Sequence, residues 1–156
     1  MREIKFRAWD AELNKMYCGE QIEGESNLSA WLSYGELAIY RIDDGEYTEL
    51  KPLQFTGVHD IHGVEIYDGD IVKIWEEDEL VPNRDSGGGI VDFNKYEGFS
   101  QLGTISYHES SCVYETKKHL VGTKFDSYVP LDYFINREVV GNIHQHLCLL
   151  EQEDPS

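Results

Sequence analysis

Positive charge is what this sequence has least of. Thirteen Lys and Arg stand against 30 Asp and Glu in 156 residues, a formal net charge of −17. Such a surplus repels a polyphosphate, which argues against direct nucleic-acid binding, and anionic membrane surfaces are disfavoured for the same reason. The surplus is also even: residues 1–75 carry 15 acids and 7 bases, residues 76–156 carry 15 and 6. A detachable acidic tail would be lopsided, so the charge belongs to the whole surface. No apolar run approaches the roughly 20 residues that a membrane helix needs. The start, Met1 to Phe6, alternates charged with apolar residues and holds no signal-peptide core. Cysteine is sparse as well. Cys18, Cys112 and Cys148 are an odd, widely spaced set without a CxxC pair, which reads as reduced thiols rather than a secreted disulfide framework. The expectation is a soluble, cytoplasmic-type protein.

Catalytic signatures are missing too. There is no Gly-x-Ser-x-Gly elbow, and Ser110-Ser111-Cys112 beside His108 lies on an ordinary strand-like stretch. Ser86-Gly87-Gly88-Gly89 lacks the Lys and Ser/Thr of a phosphate-binding loop. Asp68 and Asp70 sit on a glycine turn, where carboxylates cap backbone amides. The expectation is therefore not an enzyme, and no cofactor is expected.

What is present is β pattern with glycine punctuation. Ile4, Phe6 and Ala8 alternate with Lys5, Arg7 and Trp9, the period-2 mark of a half-buried strand. Met16 to Cys18 suits a returning partner. Ser26 to Tyr34 reads as a short helix with Leu28, Trp31 and Leu32 on one face, ended by Gly35. Asp44-Gly45 supplies a hairpin turn between 36–42 and 46–50, and 53–56 adds a short strand. Ile66-Tyr67 and residues 71–75 bracket the turn at Asp68-Gly69-Asp70. From 76 to 89 periodicity vanishes, which predicts a mobile loop. Ile90 to Phe93 and Tyr96 to Ile105 read as a hairpin, 111–120 as a strand and 131–136 as one helical turn. Val139 to Leu150 reads as the last extended stretch, before a polar tail at 151–156.

Three blocks resemble the YopX family of phage and prophage proteins. The first is Ile4 to Asp10 with Asn14 to Tyr17. The second runs from Gln54 to Lys73 through Gly57, Asp60, Gly63, Tyr67, Gly69 and Asp70. The third is Glu138 to Ile143 with Gly141 and Asn142. The resemblance implies an SH3-like small β-barrel in the C-terminal part, a phage context and no catalytic residues. The expectation is a mainly β chain with an N-terminal β-rich segment over residues 1–50, the barrel over 51–150 and at most one or two short helices. Asp60 to Gly63 and His144 to Leu147 depart from the family pattern. Independently of the family, Gly57, Gly63 and Gly69 recur six residues apart, as repeated chain reversals with positive φ require.

His144, His146 and Cys148, read at i, i+2 and i+4 on a strand, share one face. His59 and His62 can complete a nitrogen and sulfur set for a transition metal. The competing reading leaves these histidines in solvent, with Ile143, Gln145, Leu147 and Leu149 inward. No CxxC or HExxH anchors a metal centre, and no metal is expected. Tyr40, Tyr47, Tyr67, Trp75, Tyr96, Tyr107 and Tyr114 fall on strands, where aromatics pair across a sheet or line a protein interface. The expected function is non-enzymatic capture of a host or phage protein, with self-association into a homo-oligomer. The alternatives are an acidic DNA mimic that occupies a host nucleic-acid enzyme, and a metal-binding protein using His144, His146 and Cys148.

Overall fold

Turn chemistry decides where this chain reverses, and the strands follow. The computed structural model describes residues 5–108, 111–122 and 126–151. β1 (Phe6–Asp10) and β2 (Lys15–Tyr17) form a hairpin. β3 (Leu28–Ser33), β4 (Glu36–Asp43) and β5 (Glu46–His59) form a meander, and β6 (Glu65–Tyr67) folds back on β5. Together they make one antiparallel sheet in the order β2-β1-β5-β4-β3, with β6 branching from β5. The second sheet is built from β7 (Asp70–Glu76), β10 (Phe99–His108), β11 (Ser111–Gly122), β12 (Tyr128–Pro130) and β13 (Arg137–Asn142). Its order is β12-β11-β10-β7-β13. β8 (Glu79–Arg84) and β9 (Ile90–Tyr96) make a separate ribbon.

The mainly β character expected from the sequence is what the chain adopts, but several elements differ. Residues 28–33 are a strand, not a helix. Tyr34 and Gly35 take φ of 52° and 83°, the double positive-φ turn that closes a two-residue hairpin. Leu28 is then buried while Trp31 and Leu32 stay exposed. The one α-helix among the described residues, α1 (Gly19–Gly24), precedes that strand, and Gln21 Oε1 accepts the Cys18 amide at 2.9 Å to close its first turn. At Asp44-Gly45 the expected turn forms, with φ of 47° and 82°. Residues 50 and 51, where the sequence placed a domain change, lie inside the continuous β5. Residues 79–84, expected within a mobile loop, pair with 90–96. The Asp85 carboxylate accepts the amides of Gly87 and Gly89, at 2.9 and 2.8 Å, and so builds the turn from the glycine run. β9 therefore returns on β8, and β10 pairs with β7 and β11 rather than with residues 90–93. The helical turn at Leu131–Tyr133 forms as a 3-10 turn. The paths of both large sheets are open, so no closed barrel forms among the described residues. Residues 152–156 of the expected tail, Ile4 and Ser110 lie outside the described residues.

Two hydrophobic clusters hold the sheets. Ala8, Tyr17, Leu28, Ile39 and Leu50 form one. Ile66, Val72, Ile74, Phe99, Ile105, Tyr114, Leu131 and Phe134 form the other. Each large side chain fully buried there is worth about 1.5–3 kcal/mol. The second cluster also joins the sheets, since Ile66 of β6 lies in it and Val58 of β5 packs against it.

Candidate functional site

The seam between the sheets is assembled from the glycine-rich block 57–70, the end of β13 and one arginine from β1. Gly57, Gly63 and Gly69 all have positive φ, of 85°, 83° and 87°; Gly57 lies inside β5 at an irregularity in its pairing with β6, not at the expected reversal, while Gly63 and Gly69 let the chain turn back. Asp60 fastens the reversal at Gly63. Its Oδ1 accepts the amides of His62 and Val64 at 2.8 Å each, and its Oδ2 accepts the Val139 amide of β13 at 3.1 Å. Burial alone would raise the Asp60 carboxyl, but the amides of Val139, Val64 and His62 outweigh it and hold the group below the usual carboxylate range. At the reversal around Gly69, its amide donates to the Ile105 carbonyl at 2.8 Å, and the Ile143 amide donates to the Gly69 carbonyl at 2.8 Å. One glycine thus ties β10 to the end of β13.

Asp70 is 1 % exposed and meets the Arg7 guanidinium across the seam. Its other oxygen accepts the Tyr67 amide at 2.8 Å. Burial pushes the Asp70 carboxyl up, against the pull of Arg7 and of that amide. Burial also raises Asp68, opposed by Lys51 and Arg7. The Arg7 guanidinium lies 4.6 Å from the Tyr67 ring centroid, and burial followed by the Glu65 charge raises the Tyr67 phenol. A second polar knot sits within the first sheet. Arg41 pairs there with buried Asp10, with Asp43 at 2.6 Å and with Glu12 at 3.1 Å.

The histidine and cysteine candidates are not brought together as strand neighbours. β13 ends at Asn142, whose Oδ1 accepts the amides of His144 and Gln145 at 3.1 and 2.9 Å. This side-chain turn breaks the alternation that a common face for His144, His146 and Cys148 needs. His144 stacks on Trp9 with ring centroids 5.3 Å apart. His146 Nδ1 accepts the Asn142 amide at 3.1 Å. Gly141 leaves room for that ring, since a Cβ there would come within 2.8 Å of it. Cys148 is exposed in a 3-10 turn. His59 packs edge-on against Phe55, and His62 is exposed near Glu138, 3.6 Å away. Among the described residues no three His, Cys, Asp or Glu side chains gather as a metal site.

His144 carries a pH signature. Its Nε2 is buried without a hydrogen-bond partner among the described residues. Burial first, then Lys51 and Arg7, lowers its affinity for a proton below the ordinary histidine value of 6.5. The unfolded chain binds that proton more readily, so this contribution to stability is complete above pH 6.5 and is lost as pH falls below it. The urea midpoint should therefore drop between about pH 7.5 and about pH 5.5, and His144→Asn should flatten that part of the profile. An unchanged slope in H144N would contradict the assignment.

The outer face of the first sheet offers something different. The register sets Trp31 opposite Ala38, Tyr40 opposite Glu49, and Tyr47 opposite Ile42. Alternation then puts Trp31, Tyr40 and Tyr47 on the face away from Leu28, Ile39 and Leu50. Trp31 stacks on Tyr40 at 4.6 Å and 10°, and Tyr40 meets Tyr47 edge-on at 6.2 Å. The ladder is not covered: Trp31 is 42 % and Tyr47 62 % exposed. β3 is the outermost strand of this sheet, which leaves its outer backbone groups as a template for an added strand. On the inner side of the same edge lies a groove of about 640 Å³ under α1, with Ile22, Leu37 and Ile39 in its lining and Glu20, Glu23 and Glu65 among its carboxylates. Tyr40 and Tyr47 were legible as strand aromatics. Trp31 was missed because its segment reads as a helix, and a Tyr-Gly turn at 34–35 was the signal that could have corrected it.

The comparisons with known proteins follow that geometry. A family profile described as "YopX protein" matches residues 5–151. None of the curated proteins matches the chain. The crystal structure of protein EF1440 from Enterococcus faecalis is similar at 22 % identity, covering 97 % of this chain and 100 % of that one with a TM-score of 0.49. No helix is long and apolar enough to cross a membrane among the described residues.

Proposed function

The chain belongs to the YopX family, and from that premise we propose that it is a phage-associated accessory protein that holds another protein and performs no chemistry. The observation that carries this reading is the stacked ladder Trp31–Tyr40–Tyr47, left in solvent beside the open edge of β3. Three aromatics already locked against one another offer contact area at little entropic cost, and Trp and Tyr are the side chains that most often anchor protein interfaces. Stacked aromatics also suit nucleic-acid bases, but that mode needs a cationic groove, and the net charge here is −17. The fitting partner is a protein surface with apolar and basic groups, drawn in by the anionic exterior. Asp60, Asp70 and Arg7 support a non-enzymatic role, because they are engaged with backbone amides or with each other. Within this reading the β7–β10–β11 sheet with β13 is the SH3-like portion, and the host cytoplasm is where the protein works.

Pull-down from phage-infected cells tests it. The wild-type chain should retain a protein that Trp31→Ser/Tyr40→Ser/Tyr47→Ser loses by at least about tenfold, since anchors of this kind cost 2 kcal/mol or more each. Equal retention by the triple variant, with its far-UV spectrum unchanged, would refute the proposal.

A further inference from the structure

Between Met16 and Tyr40 the chain has four glutamates, Glu20, Glu23, Glu25 and Glu36, and neither a lysine nor an arginine. The groove under α1 is built largely from this stretch. Four charged residues line it: Lys5, Glu20, Glu23 and Glu65. Lys5 bonds Glu65 at 2.7 Å, so that pair cancels. Glu20 and Glu23 are exposed on α1, three positions apart and therefore on one side of it. Neither is in an ion pair among the described residues. The floor is apolar, with Leu37 and Ile39 of β4 and the exposed Ala30 of β3. An apolar floor beside two uncompensated carboxylates suits a side chain with an aliphatic stem and a cationic head, which is arginine or lysine.

The strand beside the groove shows how such a side chain arrives. β3 has no charged residue and no proline, and its register with β4 runs from Leu28 to Ser33 without a bulge. Edge strands are ordinarily blunted by charge, proline or a bulge, and this one carries none of the three. Alternation puts Ala30 and Leu32 on the groove side, Leu32 opposite Leu37, and Trp31 on the ladder side. Leu32 is 75 % exposed. A strand added to β3 therefore has its inward side chains beside Ala30 and Leu32, at the mouth of the groove, and its outward ones beside Trp31. We propose that the captured protein supplies an extended segment that pairs with β3 and sends an arginine or lysine into the groove, stem on the apolar floor and head against Glu20 and Glu23. This rests on the reading of the aromatic face as a protein-holding surface, and adds to it the chemistry of the segment held. Main-chain bonds give such a contact its affinity, and the inward side chain gives its selectivity.

Fluorescence anisotropy at moderate salt, with a labelled short peptide that alternates valine with arginine and is capped at both ends, tests the arrangement. The wild-type chain should bind it with a dissociation constant below ~100 µM, and the same peptide with glutamate for arginine should not bind in that range. Glu20→Gln/Glu23→Gln should weaken binding at least about fivefold. Glu76→Gln/Glu77→Gln, which removes the same charge at the end of β7, should leave it within about twofold. Leu32→Lys should weaken it at least about tenfold with an unchanged thermal midpoint, because Leu32 lies outside both core clusters. No binding of the arginine peptide overturns the proposal. So does equal binding of the glutamate peptide, an equal loss in the two glutamine pairs, or indifference to L32K. In the pull-down, Glu20→Lys/Glu23→Lys should lose the captured protein as the aromatic triple variant does. Retention by E20K/E23K of a protein that the triple variant loses overturns the groove inference and leaves the ladder reading standing.

Discussion

Arg7→Ala should cost about 3 kcal/mol or more of folding stability, because it strands a carboxylate inside the protein. Asp70 is 1 % exposed, and Arg7, itself 17 % exposed in its side chain, is the cation that meets it. Without the guanidinium, Asp70 keeps the Tyr67 amide at 2.8 Å and little else to offset its desolvation. The ring contact at 4.6 Å between Arg7 and Tyr67 goes as well, a smaller loss of about 0.5–1 kcal/mol. Total stabilities are about 5–15 kcal/mol, so a shift this large is unmistakable in a urea titration. The pH dependence gives the deficit its signature. Burial already raises Asp70 above the ordinary aspartate value of 3.8, and removing Arg7 raises it further. A raised carboxyl favours the folded state at low pH and loses that advantage as pH climbs through the folded pKa. The deficit of R7A should therefore shrink as pH falls. Arg7→Ala/Asp70→Asn should be less destabilised at neutral pH than R7A alone. A double variant no better than R7A would show that the pair does not matter as described.

Gly103→Ala should cost a comparable amount for an unrelated reason. Gly103 sits in β10 between Val72 of β7 and Thr116 of β11. A Cβ at this position would overlap the Tyr114 ring and the Glu115 carbonyl. The ring cannot swing aside, since Tyr114 is 0 % exposed and packs edge-on against Phe134 at 5.9 Å. Overpacking of a fixed core costs about 1–3 kcal/mol, sometimes more, and a clash with both ring and backbone puts G103A at about 3 kcal/mol. Shrinking the obstacle should relieve part of it: in a Tyr114→Leu background the ring clash goes and the Glu115 carbonyl remains, so the same substitution should cost about 1–2 kcal/mol. Chemical denaturation of the four proteins in this cycle checks the claim. Strictly additive losses would contradict it.

Local chemistry was legible in the sequence, and distance was not. Asp44-Gly45 and the glycines at 63 and 69 announce their turns because positive φ excludes most other residues, whereas Gly57 lies inside β5. The ion pair of Arg7 with Asp70 spans 63 positions, and the bond from Val139 to Asp60 spans 79. No local pattern reports such partners, so the seam was invisible even though most of its residues had been singled out as turn formers. Gly103 has an unremarkable φ and is required only by what packs on it, so sequence gave no reason to choose it. The aromatic face was half legible. Leu28, Trp31 and Leu32 fit a helical stripe as well as a strand, and pairing with β4 decided between them. His144, His146 and Cys148 suggested a common face only while they were read as one strand. Asn142 ends that strand by capping the next two amides with its own side chain.

Amide hydrogen exchange, compared between the chain alone and the chain bound to the protein it captures, addresses the ladder of aromatics at the open sheet edge most directly. The account predicts slowed exchange concentrated in residues 28–50, with the seam at 57–70 and 141–146 unchanged. Slowing confined to the seam, with 28–50 unaffected, would contradict it.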